Sequence, residues 1–209
     1  MMKKMLSCCL FLFVGLNAFS QVRTIFLDAK DRITADSTLA AGFAVFGKLT
    51  GDSVYTFKKF DLDNVMLTTG SFKDDSLQVP HGKFVYYAWV PFENTDPGTG
   101  YGPNGKSRYI ALTGRYLDGH REGRWASFYP DGKIKQLATY VRDVLQGPYQ
   151  LFENNGKVTI SGMYINGMKN GTLVFRGGKQ EDEYVNDKLI SSLSGKKLRD
   201  KQAARKNIN

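Results

Sequence analysis

The eleven residues "GRWASFYPDGK", 123 to 133, return 24 positions later as "GPYQLFENNGK", 147 to 157. Gly123, Gly147 and Gly171 keep a spacing of 24, and so do Tyr116, Tyr140 and Tyr164. Gly132 with Gly156, Phe128 with Phe152, and Trp125 with Tyr149 and Leu173 share that step. Several columns on one period are the signature of a repeat array, in which no unit buries its apolar side alone. Each unit reads as two strands. Asp131-Gly132 and Asn155-Gly156 lie between β-prone runs and supply the positive φ of a tight hairpin turn. "LDGHREG" and "INGMKNG" read as longer polar turns between units, with Gly123, Gly147 and Gly171 following each polar turn as structural turn glycines. Glycine recurs too often for a long helix. The expected fold is all-β, an antiparallel meander of ~24-residue hairpins forming an elongated twisted sheet, since one hairpin alone is marginal in water.

A further copy lies upstream. "GSF" at Gly70 matches "GRY" at Gly114, and "HGKFVYY" at His81 matches "EGRWASF" at Glu122. That copy carries an insertion loop over 88–106, whose body "PFENTDPGTGYGPNGK" is rich in Gly, Pro and Asn and reads as loop. The expected organisation is a signal peptide over 1–20, a β-rich lead-in over 21–67, the repeat sheet over 68–190 and a basic flexible tail over 191–209. A short helix is expected within "TADSTLAAG", with Thr34 or Asp36 near its start.

The leader has a basic start at Lys3 and Lys4, the apolar run "CLFLFVGL", and small residues Ala18 and Ser20 before Gln21. This is the layout of a cleaved secretory signal, too short to span a bilayer. The expected location is therefore outside the cytoplasm: periplasmic, associated with an outer membrane, or secreted. Cys8 and Cys9 are the chain's two cysteines and precede the apolar run, which argues against lipidation. With the leader removed, no disulfide, thiol nucleophile or cysteine metal site is expected. The net charge is +9, and the last fifteen residues carry six basic side chains against Asp200. Much of the basicity thus belongs to the tail. That tail suggests peripheral contact with an anionic membrane, whereas export argues against nucleic acid.

At this level of detail the pattern resembles the MORN-repeat variant of exported bacterial proteins, often labelled antitoxin-like (YwqK type). The residues that carry it are Gly-x-aromatic, a glycine turn, Gly-x-aromatic, an aromatic pair and Asn/Asp-Gly-Lys. The unit from Gly114 to Lys133 matches nearly throughout. The next departs at Ala138 and Asp143, where the pattern has Gly. The unit from Gly162 departs at Leu173 and Arg176, where it has aromatics. The resemblance covers about residues 68 to 185 and implies a scaffold; it does not imply a reaction.

Residue chemistry gives no catalytic set. His81 and His120 fall in turns without the spacing of a metalloprotease helix. "DLDN" at Asp61 lacks the later Gly and Glu of a calcium loop. No catalytic residue, metal or cofactor is expected. The candidate binding surface is Trp125, Tyr149, Phe128 and Phe152 with Lys133 and Lys157. One aromatic column is expected in the core and the other exposed, which column being left open. The expected function is a non-enzymatic exported scaffold binding another protein or a cell-envelope polymer. The competing reading is an envelope enzyme or glycan-binding protein, with Glu93 and Asp96 set against Asp118 or Glu122, since glycosidases hold two carboxylates ~5–9.5 Å apart.

Overall fold

The computed structural model describes residues 21–90 and 108–206. The expected leader and the body of the insertion, with Glu93 and Asp96, lie outside the described residues.

Fourteen strands form one antiparallel sheet. They are β1 (Gln21–Leu27), β2 (Ile33–Thr34), β3 (Gly42–Lys48), β4 (Tyr55–Asp61), β5 (Met66–Phe72), β6 (Gly82–Trp89) and β7 (Arg108–Leu117). β8 (His120–Phe128), β9 (Ile134–Val141), β10 (Val144–Phe152), β11 (Val158–Ile165), β12 (Met168–Phe175), β13 (Gln180–Val185) and β14 (Lys188–Ser194) follow. From β3 to β14 each strand pairs with its sequence neighbours, while β1 lies between β2 and β3. The expected boundary at 67/68 falls inside β5, so the lead-in is part of the same sheet. The short helix expected in this segment is a 3-10 turn, Ser37–Leu39, capped by the Asp36 carboxylate accepting from the Thr38 N–H.

The turns are the reverse of the expectation. The tight two-residue turns are Asp118-Gly119, Arg142-Asp143, Asn166-Gly167 and Asn186-Asp187, where both residues have positive φ. Closing pairs such as Leu117↔His120 leave room for two residues only. Such turns match the twist of the strands, and Asn, Asp and Gly tolerate them best. Asp131-Gly132 belongs instead to a three-residue loop. There the Gly132 N–H donates to the Tyr129 carbonyl and the Tyr129 N–H to the Lys133 carbonyl, and only Gly132 turns left-handed. Gly156 holds the equivalent place. Gly123, Gly147 and Gly171 are not turn glycines. They lie inside β8, β10 and β12 at φ of +70°, +106° and +76°, near irregularities in the strand register. A left-handed residue inside a strand is the mark of a bulge, where glycine carries no Cβ penalty.

One face of the sheet is packed on these glycines. Cross-strand pairs trace a row from Phe46 and Phe57 through Gly70, Phe84, Gly114, Trp125, Ala138, Tyr149 and Gly162 to Leu173. Large and small residues alternate after Phe57. The Phe84 ring covers Gly70, the Trp125 ring covers Gly114 and Leu173 covers Gly162, so a methyl at any of the three glycines would overlap its neighbour. Phe84, Trp125 and Leu173 are thereby buried, at 3%, 4% and 1% exposure, without a second layer among the described residues. Beside this row runs another of Gly–Tyr pairs: Gly82↔Tyr116, Gly123↔Tyr140, Gly147↔Tyr164 and Gly171↔Tyr184. Tyr116 meets Phe84 and Trp125 edge to face, at centroid distances of 4.9 and 5.0 Å, a favoured aromatic geometry.

The C-terminal segment also departs from expectation. Residues 191–209 were expected to be a flexible tail; β14 runs to Ser194 and a helix, α1 (Gly195–Lys206), follows. Leu198 is buried, and the buried Glu181 carboxylate on β13 takes Lys201 at 3.1 Å and Arg205 at 3.6 Å. Burial alone would raise that carboxyl, but its bonds to Lys201 and Gln202 and the nearby cations hold it below the ordinary value. The helix is thus ordered by a partner that precedes it on the sheet, which no local pattern announces.

Candidate interaction surface

Alternation sends Trp125 and Ala126 to opposite faces, and this decides which expected site residues are available. Trp125 is core. Tyr149 is half-buried over Ala138 and leans on Tyr164, ring centroids 5.4 Å apart. Phe128 and Phe152 are half-buried next to the three-residue loops, and the Tyr129 hydroxyl donates to the Phe152 carbonyl at 2.6 Å. Lys133 is exposed but held by Asp131 of its own loop at 2.8 Å; Lys157 is exposed. The six do not form one surface, because the two aromatic columns serve opposite faces.

On the glycine-backed face a cavity of about 290 Å³ opens over the β8–β9 hairpin. Tyr86, Tyr116, Tyr140, Arg121, Ser127 and Gln136 are among its walls. Its polar groups are largely spoken for. The Tyr86 and Tyr116 hydroxyls are 3.3 Å apart, and burial, with that bond, pushes the Tyr86 phenol well above its usual range. The Arg121 guanidinium lies 4.1 Å from the Tyr140 ring centroid and donates to Asp143 at 3.0 Å.

The turn edge is equally committed. The second residue of each tight turn donates its N–H to the preceding hairpin: Gly119 to Pro80, Asp143 to Arg121, Gly167 to Leu145 and Asp187 to Lys169, all within 2.9–3.1 Å. Side chains repeat the tie. Glu122 accepts from the Arg142 N–H at 3.1 Å and Gln146 from the Asn166 N–H at 2.7 Å. Both histidines face carboxylates, His81 to Asp118 at 3.0 Å and His120 to Asp143 at 2.8 Å. Lys73 also pairs with Asp118. Partial burial would raise the Asp143 carboxyl, but the Arg121 N–H, His120 and the Arg121 guanidinium outweigh it and bring it down to about 2. Asp118 and Glu122, offered above as glycosidase carboxylates, are members of this ladder. Among the described residues no group of three or more His, Cys, Asp or Glu could hold a metal ion.

An open apolar column lies on the other face. Leu117, Val141, Ile165 and Val185 each precede a tight turn and are 41–52% exposed, with Val144 beside Val141 at 43%. Two residues along the strands lies a basic row. Lys83 pairs across with Arg115, and Arg124 occupies the next strand, level with Thr139. All three are exposed and make no ion pair among the described residues. Lys83 and Arg115 are like charges placed opposite each other, which costs stability, while Glu122 stands opposite Arg115 on β8. Sequence reading missed both features. The signal was present at the same 24-residue step, in the aliphatics at 117, 141 and 165.

Residues 121–142, the β8–β9 hairpin with its following turn, match a family model described as MORN repeat variant. Repeats of that kind are generally protein or membrane interaction modules. No curated protein matches the chain.

Proposed function

We propose that this chain is a non-enzymatic interaction scaffold that engages a partner protein through the face opposite its glycine-backed rows. The observation that carries the reading is the aliphatic column Leu117, Val141, Ile165 and Val185 lying open beside the exposed basic side chains Lys83, Arg115 and Arg124. Exposed apolar side chains interspersed with charge are what interaction faces present. The matching partner carries an apolar ridge flanked by carboxylates. The match to an interaction-module repeat supports the same reading. The amino-terminal segment, laid out as a cleaved signal, supports action outside the cytoplasm, with a protein of the cell envelope as partner.

Photocrosslinking tests it. A crosslinking residue at Val141 should give a discrete adduct in envelope extract, and one at Gln136, on the glycine-backed face, should not. The Lys83→Gln, Arg124→Gln double variant should lose the adduct with little change in melting temperature. An adduct only from Gln136 would move the binding face to the other side. Loss of function on changing a single His or carboxylate, with the fold intact, would replace the scaffold by an enzyme.

A further inference from the structure

A cavity of about 550 Å³ lies outside the matched hairpin, in the amino-terminal part of the sheet. That volume falls within the ~300–1,000 Å³ of small-molecule sites. Its floor is apolar and buried: Leu27, Phe57 and Phe84 are exposed by 8% or less. Two connections form its sides. The β1–β2 turn brings Asp31 and Arg32, and the segment between β5 and β6 brings Leu77. That second wall is preformed. Asp74 accepts the Gln78 and Val79 N–H groups at 2.8 and 2.7 Å, and Leu77 is held at φ +57° against the apolar cluster. A bulky residue at positive φ is uncommon and persists only where its surroundings impose it.

Two cations line this apolar setting, of which Arg32, 71% exposed, is held by Asp28. The Lys59 side chain is 19% exposed and is paired with Asp31, which is 64% exposed. An ammonium has three N–H donors; Asp31 takes one, on the solvent side. Desolvating an ammonium is costly unless its donors are met, and Lys59 lines the cavity. The shape therefore asks for a ligand with an apolar body and one anionic end.

We propose that this cavity binds a single-chain amphiphile with an anionic head, of the fatty carboxylate class. The chain lies on Leu27, Phe57 and Phe84, and the carboxylate accepts from Lys59. This site is independent of the protein-docking face, since it lies on the glycine-backed side of the sheet.

Calorimetric titration and melting curves with dodecanoate, dodecanol, acetate and vesicles of anionic phospholipid test it. Dodecanoate should bind saturably at one site and raise the melting temperature. Dodecanol should bind about ten-fold or more weakly, the range expected for losing a charged hydrogen bond, and acetate not at all. Lys59→Met should bring dodecanoate down to the level of dodecanol and leave dodecanol unchanged. Equal binding of dodecanoate and dodecanol by the wild-type protein, no saturable binding of either, or association with vesicles without binding of monomeric dodecanoate would each overturn the proposal. The wild-type comparison stays decisive if Lys59→Met does not fold.

Discussion

Single residues in this sheet act mainly through the space they leave. Gly114 and Gly162 are required because a large side chain from the next strand rests on the bare backbone. Gly114→Ala and Gly162→Ala should therefore each cost ~1–3 kcal/mol, the usual penalty of overpacking, read as a fall in the denaturant midpoint. Ala138 shows the tolerated alternative. The ring above it, Tyr149, is half-buried where Trp125 above Gly114 is buried. Trp125→Ala should cost ~3–5 kcal/mol, in the range of buried aromatic truncations, and Phe128→Ala clearly less. Equal losses at the two positions in chemical denaturation would show that the packed face has been assigned wrongly.

Elements are held by ties between successive hairpins, and these ties titrate. The Asp143 carboxyl is depressed from its ordinary 3.8 to about 2. Its contribution to stability is complete above about pH 4 and is lost as the pH falls toward 2. Asp118 is lowered as well, first by its bond to Lys73, then by Lys73's charge and by His81, and adds in the same direction. Wild-type protein should thus lose more melting temperature than Asp143→Asn between pH 5 and 2, by a modest margin because the pair is partly exposed. Parallel curves would remove the turn ladder as a source of acid sensitivity. The helix α1 depends on Leu198 and Glu181. Glu181→Gln or Leu198→Ala should release it, seen as rapid tryptic cleavage at Lys196 and Lys197 while the strands keep their hydrogen-exchange protection.

At the scale of the molecule, stability is nearly one-dimensional, since each hairpin packs on its neighbours along one sheet. Removing residues 134–157 excises β9 and β10 as one 24-residue unit. Trp125 would then face Gly162 in place of Ala138, and Gly123 would face Tyr164 in place of Tyr140, so both rows are restored. This deletion should fold, with an unchanged circular dichroism spectrum and a lower melting temperature. Removing only 134–145 deletes β9, its turn and the first two residues of β10, and leaves β8 followed by a strand running the same way, which a short connection cannot pair. That variant should not fold, and equal behaviour of the two deletions would exclude register-neutral repeats.

The period, the strand content, the single antiparallel sheet and the columns that share a face were legible in the sequence, because alternation and a 24-residue step are local properties of the chain. What lay beyond it depended on partners across strands. Asx-Gly pairs mark both kinds of turn, and only the closing pairs Leu117↔His120 and Tyr129 with Lys133 decide which holds two residues and which three. Both faces of the hairpins carry aromatics, and the packed one is the face where a glycine of the adjacent strand removes the Cβ beneath the ring. The aliphatic column at 117, 141 and 165 shared the period yet gave no sign of being left open, since exposure is set by what covers it. The basic C-terminal segment reads as a solvated end until Glu181 and the surface that receives Leu198 are in place. Lys59 looks like an ordinary strand lysine until Phe57, Phe84 and Leu77 close around it.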